Sequence, residues 1–70
     1  MLEAVSVGSI VDAFVGYHAS PDGNGHAKAE VLELKEDGVI TIKILEGNSI
    51  IGEIYDAKWD DHFKGYIDVK

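Results

Sequence analysis

The chain has 70 residues and a mass of 7.6 kDa, with 46% apolar and 27% charged residues and a formal net charge of -7. This is the size of one small domain, too apolar for a disordered segment and short of buried area for its own stability. There is no cysteine, which excludes a disulfide framework, thiolate metal sites and thiol catalysis.

No helical stripe of useful length appears, because eight glycines cut the chain too often. Strand signals dominate. Residues 2–7 are expected to form an extra edge strand or a tail. From Ser9 to His18 the residues are rich in β-branched and aromatic types, with Val11, Ala13 and Val15 on one face and Ile10, Asp12 and Phe14 on the other. The cluster from Ala19 to Gly25, with the only proline, must be a loop. His26 to Lys35 reads as a second strand. Ala27, Ala29 and Val31 share a phase that slips to Leu32 and Leu34, which places a bulge near Val31-Leu32.

Glu36-Asp37-Gly38 is a hairpin signal, since Asp-Gly readily supplies positive φ. Val39 to Glu46 is the clearest strand, with Ile40, Ile42 and Ile44 on one face. Gly47-Asn48 predicts the next hairpin, Ile50 to Tyr55 a fourth strand, and Asp56 to Phe63 a break with one short 3₁₀ turn. Gly65 to Lys70 closes as a fifth strand. The whole reads as an all-β, single-domain, five-stranded SH3-like barrel over residues 1–70, with a 3₁₀ turn before the last strand.

Three fragments add a resemblance. Val7-Gly8-Ser9-Ile10-Val11-Asp12-Ala13 is similar to a "G-x-x-v-x-A" opening strand. His26-Ala27-Lys28-Ala29-Glu30-Val31 is similar to an aromatic-basic "A-x-V" segment, and Ile42-Lys43-Ile44-Leu45-Glu46-Gly47-Asn48 to a "V-x-F-x-D-Y-G-N" hairpin. Together they resemble the Tudor-like branch of SH3-like barrels over about residues 7 to 69. The resemblance implies the barrel fold. It does not carry over that family's aromatic cage for methylated lysine or arginine, because His26 and Glu46 stand where two cage aromatics belong.

Charge narrows the function classes. All six basic residues are lysines, set against thirteen acids, so there is no guanidinium fork for phosphate and no basic patch. Direct binding to nucleic acid or to an anionic membrane is not expected, and cationic partners are favoured. No apolar run reaches the roughly 20 residues that span a bilayer, and no charged-then-apolar leader is apparent. With Met1 read as a natural start, a cytoplasmic protein is expected.

The aromatic and acidic residues Tyr17, Tyr55, Asp56, Trp59, Asp60 and Asp61 are the candidate partner-binding set, on the expectation that the long first loop and the last turn meet at one barrel end. Against this, Trp59 and Phe63 also suit plugging a small core. Asp60-Asp61-His62 lacks metal-ligand spacing and reads as solvated turn charge. His18, Ser20, Asp22 and His26 share one glycine-rich loop, which cannot hold a nucleophile against a base. No catalytic residue, metal or cofactor is expected.

The first hypothesis is a non-enzymatic acidic module that binds a protein or peptide through one end of the barrel. The alternatives are an acidic mimic of nucleic acid that occupies a partner's cleft, and an oligomeric small-barrel enzyme. A homodimer is expected as well. Val39, Leu45, Leu32 and Leu34 look surplus to one interior, and an open edge near the first or last strand would add a backbone contact.

Overall fold

Alternation of small or branched apolar residues with charged ones builds five strands, and the computed structural model describes residues 5–69. They are β1 (Ile10–Phe14), β2 (His26–Leu34), β3 (Val39–Ile44), β4 (Ile54–Asp60) and β5 (Gly65–Asp68). Each pairs antiparallel with the next, and β5 returns parallel to β1 through Ala13 and Tyr66, so the sheet closes as a barrel in the order β1-β2-β3-β4-β5. Closure joins β1 to β5 and so corrects the open edge expected near the first or last strand.

The interior is filled by size matching. Ala13, Ala27, Ala29 and Ala57 come from three strands, while β3 supplies Ile40, Ile42 and Ile44, all nearly inaccessible to solvent together with Val31. The register sets large against small: Ala29 faces Ile44, and Ile40 faces Ala57. A narrow barrel has room for long side chains from only some of its strands, and here the β3 isoleucines take that space.

The bulge in β2 falls where the phase slip places it. Val31 pairs with Ile42 and Glu33 with Thr41, leaving Leu32 as the extra residue. Leu32, Leu34 and Leu45 all stay more than a third exposed, as the expected surplus requires. Beyond the bulge Leu34 pairs with Ile40 and so returns to the inward phase of Val31, at the rim of the barrel. Asp37 and Gly38 both take positive φ in the β2–β3 link. The short 3₁₀ element is this segment, Glu36–Gly38, whereas the link before β5 is a hydrogen-bonded turn over residues 61–64.

The fourth strand is shifted from the expected Ile50–Tyr55 to Ile54–Asp60. Gly47, Ser49 and Gly52 all have positive φ, which no continuous strand accommodates. Residues 45–53 therefore form a long connection, closed where the Ile44 amide donates to Glu53 O and the Gly52 amide to Ile44 O. Ile50 tucks against the core, and Ile51 is left exposed. Residues 5–9 form no strand, although Val5 packs on the core. The rest of the proposed N-terminal strand, residues 2–4, lies outside the described residues.

Candidate functional site at the Tyr55 end of the barrel

Along β4, Tyr55, Ala57 and Trp59 share the inward phase, because Tyr55 is opposite Ile42 and Ala57 opposite the buried Ile40. Tyr55 and Trp59 are four residues apart, or about 13 Å at the usual strand rise, so they serve opposite ends of the barrel.

At the Tyr55 end lies a cavity of about 210 Å³, lined by Phe14, Val15, Ile44, Ile50, Glu53, Tyr55 and Asp68. Five of its seven lining residues are aliphatic or aromatic and two are acidic. Asp68 reaches this end because it pairs with Ala57 and so shares its inward phase. Glu53 is placed by the backbone bond that closes the β3–β4 connection. The Tyr55 hydroxyl is held above the ordinary tyrosine range, chiefly by burial and further by the negative charges of Asp68 and Glu53. Three groups thus meet at one mouth: a half-buried phenol and two carboxylates. Such a setting favours a cation and disfavours an anion.

Phe14 links this cavity to an aromatic cluster on the outer face. Phe63 stacks on it with ring centroids 4.3 Å apart, and Tyr17 and His26 meet it edge-on at 5.9 and 5.5 Å. His26 Nε2 donates to the Phe63 carbonyl at 2.7 Å, tying the start of β2 to the last turn. Below the cluster, the long loop is stitched by two residues. The buried Ser20 hydroxyl accepts from the Gly25 amide and donates to Tyr17 O, while Asn48 donates to the carbonyls of His18 and Ser20.

The structure divides the six candidate residues. Tyr55 lines the cavity, and Tyr17 approaches the same end through Phe14. The other four lie elsewhere. Asp56 points to the outer face, where Thr41 donates to it at 2.7 Å and Lys35 pairs with it at 3.3 Å. Trp59 packs edge-on against Tyr66 at the opposite end, and its indole N–H donates to Asp61. Asp60 caps the last turn by accepting the amides of His62 and Phe63. Trp59 and Tyr17 meet different rings, Tyr66 and Phe14, and Phe63 covers Phe14 rather than plugging the core beside Trp59.

Sequence reasoning missed Glu53 and Asp68. The signal was the strict alternation from Tyr55 to Asp60, which fixes β4 and, through the antiparallel turn, puts Asp68 on the inward phase.

Elsewhere on the outer face, charges of opposite sign are interleaved. Lys28 pairs with Asp12 at 2.7 Å, and Glu30 lies directly opposite Lys43. The hydrogen bond that Lys28 donates to Asp12, together with the Asp12 charge, raises the ammonium pKa above its ordinary value. Among the described residues no helix is long and apolar enough to cross a membrane. Compared with known proteins, the chain matches no known family, no curated protein and no solved structure.

Proposed function

We propose that the protein is a non-enzymatic acidic binding module of the SH3-like, Tudor-like kind, which takes a cationic side chain of a protein or peptide partner into the Tyr55 end of its barrel. One observation carries this reading: a cavity that sets the Tyr55 phenol and the carboxylates of Glu53 and Asp68 beside Phe14, Val15, Ile44 and Ile50. The apolar walls suit the methylene stem of a lysine or arginine, and the carboxylates suit its head. The face of Tyr55 adds a cation–π contribution of roughly 0.5–1 kcal/mol at a solvent-accessible mouth. The net charge of -7 supports the same partner class by steering it toward the barrel.

The mimic of nucleic acid is the weaker reading. It needs carboxylates in unbroken rows, and the interleaving of Lys28, Lys35 and Lys43 with Asp12, Asp56 and Glu30 does not favour that.

Affinity capture from native lysate tests the proposal with four baits: wild type, Glu53→Gln, Asp68→Asn and Trp59→Ala. A partner retained by Trp59→Ala and lost with both carboxylate variants is expected. A partner lost only with Trp59→Ala would move the site to the other end of the barrel.

A further inference from the structure

Two separate demands place asparagine before glycine in the long loop. Gly25 has φ +94°, and a Cβ there would lie 2.5 Å from Cε1 of Phe14, so packing requires glycine. Asn24 is exposed, and its Oδ1 accepts the His26 amide at 2.9 Å, a local turn bond suited to a short polar side chain. The resulting dipeptide is chemically labile. Without a side chain on glycine, its amide nitrogen has an unhindered approach to the asparagine side-chain carbonyl.

We propose that Asn24 is a deamidation site which the native loop holds closed, so that modification follows opening of residues 19–25. In the reaction the Gly25 nitrogen loses its proton to base and bonds to the Asn24 side-chain carbonyl carbon. The C–N bond of the side chain breaks, ammonia leaves with the proton returned, and a succinimide ring remains. Water then opens the ring at either carbonyl, giving aspartate or isoaspartate.

The fold restrains both reacting groups. The Gly25 amide donates to the buried Ser20 hydroxyl at 3.0 Å, which occupies the nucleophile, and the bond to the His26 amide fixes the Asn24 side chain. The Ser20 hydroxyl is itself oriented by the bond that it donates to Tyr17 O. Attack therefore requires the loop to open first. Asn48 is the internal comparison, because it precedes Ser49 and its amide is held by two carbonyls.

Deamidation has a local consequence. A carboxylate at position 24 would join Asp12, Asp22 and Glu46 around the groove beside Lys28. The isoaspartyl product would also lengthen the main chain just before Gly25, where the Phe14 ring leaves no slack.

The test follows Asn24 and Asn48 by peptide mapping during incubation in mildly alkaline buffer, with and without urea. Native wild type is expected to lose Asn24 roughly tenfold or more slowly than the unfolded chain. Ser20→Ala removes the acceptor for the Gly25 amide. It should raise the native rate roughly tenfold and leave the rate in urea unchanged, with Trp59 fluorescence confirming that the variant is folded. Equal Asn24 rates for wild type in the two buffers would overturn the proposal, as would a folded Ser20→Ala with the wild-type rate. Should Ser20→Ala fail to fold, the wild-type ratio alone decides.

Discussion

Replacing Ile42 with alanine probes the centre of the barrel. Ile42 is fully buried and lies between Val31 of β2 and Tyr55 of β4. The substitution removes three carbon groups, worth about 2.4 kcal/mol at roughly 0.8 kcal/mol each. Its neighbours are held by ladders on both sides and cannot collapse fully into the space, so a cavity term raises the loss to about 3–4 kcal/mol. A 70-residue domain has roughly 4–10 kcal/mol in total, so the variant should be close to unfolding at room temperature. Urea titration followed by Trp59 fluorescence measures the loss directly, with Ile54→Ala as the control. Ile54 is 58% exposed on the outer face, and its truncation should cost no more than about 0.5 kcal/mol. An Ile42→Ala loss within about 0.5 kcal/mol of wild type would refute the inward phase of β3 and the core built on it.

Gly25→Ala should destabilise by about 1–3 kcal/mol, through positive φ and the clash with Phe14, as measured by the same titration. Asp12→Asn should leave the urea midpoint nearly unchanged, because its ion pair with Lys28 is exposed. Tyr55 gives a pH dependence: its proton is held more tightly in the folded than in the unfolded chain, so stability is full below the ordinary tyrosine value of 10.0 and falls as pH rises through the higher folded value. Tyr55→Phe should lessen that alkaline loss in urea titrations across the range, and an unchanged loss would contradict the placement of Tyr55. We further propose self-association through the exposed Leu32, Leu34 and Leu45, so sedimentation at tens of micromolar should give a dimer, and a single species near 7.6 kDa would contradict it.

The chain announces its fold more clearly than its site. Period-two patterns in Val11–Val15, Ala27–Val31 and Ile40–Ile44 each match the observed inward faces, and the phase slip near Leu32 marks a real bulge. The fourth strand was obscured because Ile50-Ile51 has strand composition, while backbone conformation at Ser49 and Gly52 forbids it. Four residues further on, the alternation of Tyr55, Ala57 and Trp59 with Asp56, Lys58 and Asp60 held the correct answer. That shift governs the site as well. It separates Tyr55 from Trp59 by the length of the strand, turns Asp56 outward to Thr41 and Lys35, and brings in Asp68 through its pairing with Ala57. The contact of Tyr17 with Phe14 depends on how Ser20 and Asn48 fold the long loop, which is tertiary information.

Chemical-shift mapping with short peptides tests the cavity itself. Blocked tripeptides centred on lysine, arginine or glutamine would be titrated into labelled protein at low salt, then repeated with Glu53→Gln and Asp68→Asn. The cationic peptides should shift the amides of Val15, Ile44, Ile50, Glu53, Tyr55 and Asp68 with saturation, the glutamine peptide should not, and each variant should weaken binding roughly two- to fivefold. Shifts scattered over the outer-face carboxylates, or centred on Trp59 and Asp61, would contradict a binding site at the Tyr55 end.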